Sequence, residues 1–510
     1  MNDNTTRKIT NALLSVYCKE NIETLVRLLN EWGITIYSTG GTLDFIANMG
    51  IEARSVESLT GYPSILGGRV KTLHPKVFGG ILARRNHPPD NAQLIDYAIP
   101  PIDLVVVDLY PFEQTLLSNA DEEEIIEKID IGGLSLIRAA AKNYADTLVV
   151  SSREQYAPLI DLLKNGQGAT TLATRRRFAA QAFRQSAQYD TAIFNYFNRH
   201  ENLPTFQSFI ATQKPLRYGE NPHQEATFFG RFDDMFEQLH GKEISYNNLL
   251  DVDAAVALIN DFNEPTFAIL KHNNACGCAS DDEKTNAWRK ALAGDPVSAF
   301  GGIIVTNRPV EAACAEEINR LFFEAIIAPD YTPEALECLK TKKNRMLLRL
   351  KNATLPPAQF RSLLNGVARQ TRDTATETAA QLQPVTDKQA TAEEIADLIF
   401  ANKLVKHSKS NAIILAKGQQ LLAGGVGQTS RIDALKQAIN KAQSFGFSLQ
   451  GAVMASDAFF PFSDCIALAH QAGINAVVQP GGSINDRQSI EYCNQHNIAM
   501  LMTGVRHFKH

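Results

Sequence analysis

TFAILKHNNACGCAS, residues Thr266–Ser280, joins a short apolar run to a polar cluster near the middle of the chain. Phe267–Leu270 has the composition of a buried strand; it ends at the polar run Lys271–Asn274, and Gly277 loosens the backbone just beyond. In parallel α/β sheets, ligands bind beyond the carboxyl ends of the strands. We therefore expect a parallel strand whose end presents a cation, an imidazole and two amides to a ligand. The alternative is a hydrated loop in which Lys and His are neighbours by chance.

Length and composition describe a globular protein with more than one domain. The chain has 510 residues, of which 44% are apolar and 21% charged, and its formal net charge is −5. This length exceeds one ordinary hydrophobic core, so two or three domains are expected. The acidic balance gives no general footprint for nucleic acid. The densest basic run, Arg175–Arg177, is interpreted as a solvated helix face.

Targeting and redox signals predict a cytoplasmic protein without a membrane partner. No apolar run approaches the roughly 18 residues that span a bilayer. The N-terminal sequence MNDNTTRK is polar and lacks the apolar centre of a signal peptide. The seven cysteines are scattered and odd in number, which suits a reducing compartment better than a disulfide framework.

The first third of the chain alternates strands and helices, which predicts a parallel sheet covered on both faces. A helix over Glu20–Trp32 carries one apolar stripe between the first two strands. The predicted strands are Ala12–Val16, Ile34–Tyr37, Ile102–Val107 and Leu148–Val150.

Two glycine-containing loops in this third have the composition of an anion site. Ser38–Thr42, STGGT, follows a strand and opens a helix, so its backbone N–H groups would meet an anion at the positive helix end. Leu66–Lys76, LGGRVKTLHPK, includes the cations Arg69 and Lys71, a hydroxyl and an imidazole close to two glycines, which suits a sugar phosphate. An ordinary tight turn and an ordinary surface loop are the alternatives.

These motifs resemble the IMP cyclohydrolase half of a bifunctional family, the aminoimidazole carboxamide ribonucleotide (AICAR) transformylase/IMP cyclohydrolases. The resemblance rests on STGGT, GGRVKTLHPKV, VVVDLYPF and IDIGGLSLIRAAAKN, in this order. It implies a methylglyoxal-synthase-like α/β domain over residues 1–199 and catalytic roles for Lys71, Tyr110, Asp130 and Lys142. We expect Asp130 and Lys142 to form an ion pair that orients the substrate carboxamide.

The substrate contacts in this half are also inferred from the resemblance. They are Ser15, Lys19, Ser38, Gly40, Gly41, Thr42, Arg69 and Thr72. The chain departs from the family at Tyr17 and Cys18, where SVSDKTG is usual, and at Asp108, where asparagine is usual.

A polar segment with two prolines, residues 198–215, predicts a domain boundary. Leu216–Gln224, LRYGENPHQ, then sets Arg217 beside Tyr218, a pair that could clamp a phosphate and stack on a base. Residues 370–394 have linker composition. We expect two α/β halves around that linker, at about residues 200–369 and 390–510.

Residues 200–510 resemble AICAR transformylase from end to end, on LRYGENPHQ, KHNNACGC, SDAFFPFSD and the terminal RHFKH. The resemblance implies two cytidine-deaminase-like α/β subdomains, a homodimer with transformylase sites between chains, and 10-formyltetrahydrofolate as co-substrate. The chain departs from the family at Ala275, Ser463 and Lys509. The implied catalytic residues are Lys271, His272 and Asn411, and the implied nucleotide contacts are Arg217, Tyr218, Phe300, Gly301, Phe459, Asp464 and Arg506. Asp464 is also expected to be a helix N-cap.

The favoured function is the last two steps of IMP synthesis, formyl transfer to AICAR and dehydrative ring closure of the product, FAICAR. One alternative is a purine-nucleotide-binding regulatory protein that kept the pockets without catalysis, but a binder has no need of all the implied catalytic groups. A second is a zinc site at His272, Cys276 and Cys278. The zinc deaminase pattern of His-x-Glu with Cys-x-x-Cys is missing there, so no metal is expected.

Overall fold

The structure is a computed structural model that describes residues 5–510. The chain divides into two compact units, Met1–Phe209 and Ile210–His510. Each unit contains its own sheet and its own hydrophobic clusters, and each is described separately below.

The N-terminal unit alternates strands and helices as its sequence predicts. Its strands are β1 (Thr6–Lys8), β2 (Asn11–Val16), β3 (Thr35–Ser38), β4 (Arg54–Ser55), β5 (Leu104–Asp108), β6 (Leu148–Val150) and β7 (Ala169–Thr171). Its helices are α1 (Glu23–Glu31), α2 (Gly40–Asn48), α3 (Val56–Thr60), α4 (Pro75–Leu82), α5 (Pro88–Asp96), α6 (Phe112–Leu117), α7 (Glu122–Glu127), α8 (Ile131–Lys142), α9 (Tyr156–Asn165) and α10 (Leu172–Glu201), with short 3₁₀ turns at Leu66–Gly68 and Arg153–Gln155.

The main sheet of this unit has the strand order β4-β3-β2-β5-β6, and its neighbouring strands are all parallel. Side chains alternate between the two faces, so Leu14 and Val106 join one buried cluster and Leu13 and Val105 join the other. Helices α1, α2 and α9 supply the first cluster, and α4 and α8 supply the second. The prediction of a parallel sheet covered on both faces is confirmed. Strand order reverses at β2, which is where ligands bind in such sheets.

The C-terminal unit has a longer set of elements. Its strands are β8 (Gln213–Pro215), β9 (Thr227–Phe229), β10 (Phe236–His240), β11 (Thr266–Lys271), β12 (Asn274–Ser280), β13 (Ile303–Thr306), β14 (Ala325–Ala328), β15 (Met346–Leu350), β16 (Ala358–Leu363), β17 (Gly366–Thr371), β18 (Gln383–Pro384), β19 (Ile413–Lys417), β20 (Gln420–Gly425), β21 (Val453–Ser456), β22 (Ala476–Gln479) and β23 (Ala499–Met502). Its helices are α11 (Phe232–Met235), α12 (Tyr246–Ile259), α13 (Lys284–Gly294), α14 (Ala312–Ile318), α15 (Pro333–Lys340), α16 (Ala392–Lys406), α17 (Arg431–Ser444), α18 (Asp464–Gln471) and α19 (Asp486–Gln495), with a 3₁₀ turn at Ala379–Gln381.

One sheet runs through both halves of this unit, in the order β10-β15-β14-β13-β11-β12-β20-β19-β21-β22-β23-β18. Each half repeats the same plan: a helix, an antiparallel hairpin, and then strands that pair in parallel with one another. The halves join where β12 lies beside β20, at Ala279 and Gln420. The two α/β halves of this unit share one continuous sheet.

Buried side chains of the two halves form three clusters around this sheet. Helices α12 and α16 supply the cluster that both halves share on one face. On the opposite face, α13, α14 and α15 cover the first half, and α17, α18 and α19 cover the second. Within residues 5–510, no helix combines the length and the apolar composition that crossing a membrane would require.

The expected context of Thr266–Ser280 is wrong. β11 pairs antiparallel with both β12 and β13, so Lys271–Asn274 closes a hairpin and is not the open end of a parallel strand. The residues after the turn form β12, although Asn274, Gly277 and Ser280 make that segment look like a loop. The sequence misled here because this strand lacks the β-branched residues that usually mark one.

Gly277 also has a different role from the expected one. It lies within β12, where a Cβ atom would stand 2.0 Å from the carbonyl oxygen of Ala291 in α13. Gly425 repeats this arrangement in the second half, where a Cβ atom would stand 1.8 Å from the carbonyl oxygen of Ala434. Both glycines therefore allow a helix to pack closely against a hairpin.

We predict that Gly277→Ala destabilises the C-terminal unit by about 1–3 kcal/mol or more, because the added methyl group meets a backbone oxygen that cannot rotate away. Urea unfolding followed by a probe in that unit measures the change. Gly366→Ala, at an exposed position whose nearest non-adjacent atom lies 4.0 Å from the added carbon, is the matched control and should change stability by less than about 0.5 kcal/mol. Equal stabilities for the two variants would contradict the close approach.

Candidate active sites

The carboxyl ends of β2 and β3 meet at one edge of the N-terminal sheet. Thr42 ties the two together, because its Oγ1 accepts from the amide of Val16 at 3.1 Å and donates to the Val16 carbonyl at 2.9 Å. Ser15 Oγ lies 3.3 Å from Thr39 Oγ1. These contacts hold the start of α2, at Gly40 and Gly41, against the end of β2, and amides in a first helical turn lack acceptors within the helix.

Two lysines lie at the same end of α2. Lys71 Nζ is 3.8 Å from the position that a Cβ atom on Gly40 would take. Lys19 Nζ donates to the carbonyls of Val16 at 2.6 Å and Tyr17 at 2.9 Å. Burial lowers the pKa of Lys19, the Asp108 carboxylate acts in the opposite direction, and the charge of Lys71 lowers it further. Two cations beside a helix N-terminus form an anion site.

Of the other expected phosphate contacts, Ser38 and Thr72 are buried and Arg69 is exposed. Ser38 is fully buried and its Oγ donates to the Leu14 carbonyl at 2.9 Å, so that proton is already used within the sheet. Thr72 is also buried, with its Oγ1 3.0 Å from the position of a Cβ atom on Gly132. Arg69 is exposed and its guanidinium group is paired with Glu127.

Asp130 is the N-cap of α8, and its Oδ1 accepts from the amide of Gly133 at 2.6 Å. Its own amide donates to the Tyr189 hydroxyl at 2.9 Å. Burial raises the pKa of the Asp130 carboxyl, while the amides of Gly133 and Tyr110 and the charge of Lys71 lower it. A largely buried carboxylate thus lies within electrostatic reach of the Lys71 ammonium group.

Tyr110 supplies a neutral donor beside this carboxylate. Burial raises the pKa of the Tyr110 phenol, and the negative charges of Asp130 and Glu127 raise it further, so the hydroxyl keeps its proton at neutral pH. The ring of Tyr17 meets the Tyr110 ring edge-on, with centroids 5.3 Å apart. One departure from the family pattern therefore packs directly on an expected catalytic side chain.

The other two departures also contact each other. Asp108 Oδ2 accepts from the amide of Cys18 at 2.8 Å, and burial raises the pKa of that carboxyl. Arg153, from the turn after β6, places its Nη1 3.2 Å from Cys18 Sγ and 3.1 Å from a carboxylate oxygen of Glu20. Cys18 thus contacts both Asp108 and Arg153.

The expected ion pair between Asp130 and Lys142 is wrong for a single chain. Asp130 caps the first turn of α8 and Lys142 is its last residue. A helix of 12 residues rises about 18 Å, which is far beyond ion-pair distance. Lys142 is also exposed, so Lys71 is the lysine that acts on Asp130 within the described chain.

In the C-terminal unit, Lys271 and His272 lie at the β11–β12 turn. His272 and Asn273 have φ values of 51° and 65°, and Lys271 pairs with Asn274 across the hairpin. Two central residues with positive φ are typical of type I′ turns. The Asn274 side chain donates to the His272 carbonyl at 2.9 Å.

Lys271 reaches from this turn to the loop before β13. Its Nζ donates to the Phe300 carbonyl at 2.6 Å and lies 3.8 Å from the position of a Cβ atom on Gly301. The Phe300 ring is exposed and lies 5.0 Å from the Phe322 ring, centroid to centroid. An ammonium group thus lies beside an open aromatic surface that suits a flat heterocycle.

The second half contributes to the same region. Asn274 Oδ1 accepts from the Lys409 amide at 2.9 Å, and Asn411 follows two residues later. Arg431 fixes Asn411, since its Nη2 donates to Asn411 Oδ1 at 3.0 Å. Arg431 also donates to the Phe459 carbonyl at 3.2 Å. These contacts link Lys271, His272, Asn411 and Phe459 into one neighbourhood.

The C-terminal tail lies along this neighbourhood. The His507 amide donates to the Asp457 carbonyl at 3.0 Å, and the Ser410 amide donates to the Lys509 carbonyl at 2.9 Å. Arg506 is exposed, with its guanidinium carbon 4.4 Å from the Phe508 ring centroid. The tail therefore holds Arg506 close to the loop that carries Asn411.

Arg217, Tyr218 and Asp464 have no hydrogen bond or ring contact with Lys271, His272 or Asn411 among the described residues 5–510. Arg217 and Tyr218 contact each other, with Nη2 3.0 Å from the hydroxyl and the guanidinium 4.8 Å from the ring centroid. Asp464 is the first residue of α18, and Ser463 is the N-cap. The expected capping role of Asp464 is thus wrong by one position, since its Oδ1 accepts from the adjacent Cys465 amide.

The cysteines near His272 are packing residues. Cys276 Sγ donates to the Ile269 carbonyl at 3.3 Å, and Cys278 is fully buried. Burial raises the pKa of the Cys276 thiol to about 12 and that of Cys278 further, so neither is a thiolate at neutral pH. Among the described residues, no three His, Cys, Asp or Glu side chains are grouped closely enough to hold a metal.

Sequence reasoning missed two residues that hold site residues in place. Tyr189, in α10, bonds the backbone on both sides of Ile129, because its hydroxyl also donates to the Lys128 carbonyl at 2.6 Å. Arg431 is buried and pairs with Asp457 at 2.5 Å. No local motif marks Tyr189. Arg431 could have been noticed because it closely follows the glycine-rich run 424–428, which is visible in the sequence.

A parallel α/β unit with an anion site, followed by a two-half α/β unit with a Lys-His turn, defines a two-site enzyme acting on nucleotide-like substrates. Two family models match the chain: "AICARFT/IMPCHase bienzyme" over residues 140–441, more than half of it, and "MGS-like domain" over residues 21–135. The chain belongs to the AICARFT/IMPCHase bienzyme family. It is a bifunctional AICAR formyltransferase and IMP cyclohydrolase of purine biosynthesis.

Full-length relatives agree with this assignment. The chain is 60% identical over 504 residues to "Bifunctional purine biosynthesis protein PurH" of Bacteroides thetaiotaomicron, covering 99% of each chain. It is 46% identical over 509 residues to the protein of the same name from Aquifex aeolicus, covering 98% of this chain and 100% of that one. A solved structure described as "Crystal structure of ForH" is 35% identical over 37% of this chain, with a TM-score of 0.33.

We predict that Lys71 and Asp130 are energetically coupled in ring closure, whereas Asp130 and Lys142 are not. Lys71→Met combined with Asp130→Asn should deviate from additivity in log kcat/KM by the equivalent of about 0.5–3 kcal/mol, because each variant leaves the other charge without its neighbour. Asp130→Asn with Lys142→Met should be additive within about 0.5 kcal/mol, given their separation. Coupling found for the second pair and not the first would contradict the geometry.

Proposed function

We propose that residues 1–199 form the domain that closes the purine ring of FAICAR, and that residues 200–510 form the domain that transfers the formyl group to AICAR. The observation that carries this division is the separation of the chemically suited groups. Lys71, Tyr110 and Asp130 belong to the N-terminal unit, and Lys271 and His272 belong to the C-terminal unit. The compact units supply a structural basis, with the division at 209/210.

The N-terminal anion site suits the ribose 5-phosphate of the substrate. The start of α2 combines first-turn amides at Gly40 and Gly41 with the Lys19 ammonium group and the Ser15 hydroxyl. Such a combination neutralises a phosphate dianion while leaving the base of the nucleotide free to extend along the sheet edge. We propose this as the anchor for FAICAR.

Ring closure then takes place toward α8. The carboxamide nitrogen attacks the formamide carbon, and loss of water gives the closed ring. Asp130 accepts a hydrogen bond from the attacking amide nitrogen, which fixes its direction of attack. Lys71 and the protonated Tyr110 donate to the oxygen that becomes negative as the new bond forms. Lys142 lies at the opposite end of α8 from Asp130, so it is not assigned a part in that step within one chain.

The formyl donor is proposed to be 10-formyltetrahydrofolate. The amine nitrogen of AICAR bonds to the formyl carbon, the bond from that carbon to N10 of the folate breaks, and the amine proton must leave as N10 gains one. His272 accepts the proton, directly or through the substrate carboxamide, and Lys271 donates to the tetrahedral oxyanion or to N10. The exposed Phe300 ring beside Lys271 offers a stacking surface for the imidazole base.

Asn411, Phe459, Asp464 and Arg506 are proposed to complete the nucleotide site from the second half, with Arg217 and Tyr218 at its edge. Asn411 is held by Arg431 and donates to the Gln428 carbonyl at 3.0 Å through Nδ2. A primary amide has two N–H donors, so one remains for substrate. Arg506 is exposed and suits a phosphate.

A homodimer with transformylase sites between chains is also proposed. The hairpin β16–β17 is exposed along almost its whole length and carries Leu363, Leu364 and Val367 to the surface. A two-stranded hairpin is only marginally stable by itself in water, so exposed apolar side chains around its turn favour cover by another chain. A second copy of this chain is the proposed cover.

The proposed location is the cytoplasm, and no nucleic acid or membrane is proposed as a partner. All seven cysteines are unpaired, which agrees with a reducing compartment. The net charge of −5 gives no basic surface for a polyanion.

We predict that His272→Ala slows formyl transfer by about 100- to 10,000-fold, because general base catalysis is typically worth that factor. The same variant should close the ring of FAICAR at nearly the wild-type rate. Lys71→Met is the reciprocal control and should lose ring closure while keeping formyl transfer. Assays with AICAR and FAICAR as separate substrates measure both. Loss of both activities in either folded variant would contradict the assignment of ring closure to residues 1–199 and of formyl transfer to residues 200–510.

We predict that Leu364→Glu weakens the dimer, because a charge placed in an apolar contact must be desolvated. Sedimentation velocity across a range of concentrations should show dissociation at a protein concentration where the wild type stays dimeric. Ile484→Glu changes a comparably exposed apolar residue outside this hairpin and should leave the dimer unchanged. Identical sedimentation of the two variants would rule out the β16–β17 hairpin as the contact.

A further inference from the structure

The two hairpins of the C-terminal unit are built alike. β11–β12 turns at His272 and Asn273, and β19–β20 turns at Gly418 and Gln419; all four residues have φ between 51° and 65°. Each hairpin is preceded by a long helix, α12 or α16, that begins after a hydroxyl N-cap at Ser245 or Thr391. One half carries the proposed catalytic pair at its turn and the other does not.

An aspartate at the same helical position holds each turn. Asp251 is the sixth residue of α12, and its Oδ1 accepts from the Asn273 amide at 2.7 Å. Asp397 is the sixth residue of α16, and its Oδ1 accepts from the Gln419 amide at 2.6 Å. Left-handed turn residues other than glycine carry a conformational cost, and a carboxylate bound to their amides offsets part of it.

The two aspartates differ in how their second oxygen is used. Asp397 Oδ2 accepts from the Gly418 amide at 2.8 Å, so both of its oxygens bind the turn. Asp251 Oδ2 has no hydrogen-bond partner within residues 5–510, and in the amide orientation that satisfies its neighbours Asn273 Nδ2 donates to Oδ1, at 3.2 Å. Of the two aspartates that bind turn amides, only Asp251, at the turn that carries His272, therefore has a carboxylate oxygen without a hydrogen bond to its turn.

We propose that Asp251 is a positioning residue for formyl transfer, which fixes the left-handed turn and holds the His272 imidazole with its negative charge. The proposal rests on the proposed role of His272 as the proton acceptor. In the other half, Asp397 has only the structural role, because the central residues of its turn, Gly418 and Gln419, have no ionisable side chain where His272 stands in the first half.

The charges around Asp251 support this role. Burial raises the pKa of the Asp251 carboxyl, and the Asn273 amide and the positive charges of His272 and Lys271 lower it. Asp251 is therefore close enough to His272 and Lys271 to interact with both electrostatically. From the second half, Lys409 adjoins the hairpin through its amide, which donates to Asn274 Oδ1.

Asp251→Asn tests the charge, because it keeps a carbonyl oxygen for the Asn273 amide and removes the negative charge. The acid limb of the kcat/KM profile for formyl transfer should move to lower pH by about half a unit or more, since a negative charge near the proposed proton acceptor is removed. Asp251→Glu restores the charge and should return the limb toward its wild-type position. Ring closure of FAICAR by the same proteins should be unchanged.

Asp397→Asn is the matched control. It should lower the melting temperature at least as much as Asp251→Asn, because it weakens two turn contacts, yet leave the acid limb in place. Asp251→Ala should in addition reduce kcat of formyl transfer by about 10- to 100-fold, because the turn loses its acceptor and His272 its alignment. An acid limb that stays fixed in Asp251→Asn, or moves equally in Asp397→Asn, would overturn the proposal.

His272→Ala separates this proposal from the function on which it rests. If that variant transfers the formyl group at the wild-type rate, His272 is not the proton acceptor and both ideas fail together. If it is inactive while Asp251→Asn keeps the wild-type profile, only the role of Asp251 fails.

Discussion

The C-terminal unit depends on two tight hairpins whose central residues are forced into the left-handed region. Such turns bring β12 beside β20 and so join the halves into one sheet. A left-handed pair without two glycines is costly for the backbone, and carboxylates from the preceding helices compensate at both turns. The turn that positions Lys271 and His272 is therefore fixed by Asp251, from a helix that supplies no catalytic residue to the proposed chemistry.

In the N-terminal unit, the position of the site depends on the reversal of strand order at β2. Because β3 and β5 flank β2 in parallel, the loops after all three strands converge. Cations from two of the surrounding loops then meet the start of α2, while Asp130 caps a second helix nearby. Burial acts on these groups in a consistent direction, since it disfavours charge on Lys19 and Asp130 and keeps the Tyr110 proton in place.

The N-terminal residues at which the chain departs from the family pattern contact one another or a neighbouring site residue. Tyr17 packs on Tyr110, and Cys18 contacts both Asp108 and Arg153. The amide of Cys18 satisfies one oxygen of the Asp108 carboxylate, and the charge of Asp108 acts to raise the pKa of both Lys19 and Asp130. Similarly, Arg431 gathers Asn411, Asp457 and Phe459 through one guanidinium group, which suits a residue with five donors in a planar fork.

The sequence by itself determined the family, the alternation of strands and helices in the first third, the two halves that follow, and the residues proposed for chemistry. Those features are local, since long motifs and hydrophobic periodicity survive without a fold. It could not determine the antiparallel course of β11, because NACGCAS has loop composition and becomes a strand only through pairing and through the space that Gly277 leaves for α13. Nor could it reveal that Asp251 and Asp397 hold equivalent turns, or that Tyr189 reaches Asp130 from 59 positions away. The one geometric error that local reasoning could have avoided was the Asp130–Lys142 pair, because the rise of a helix alone separates its two ends. These contacts join residues that are far apart in the chain, so they form only when the folded backbone brings those residues together, and only the tertiary structure reveals them.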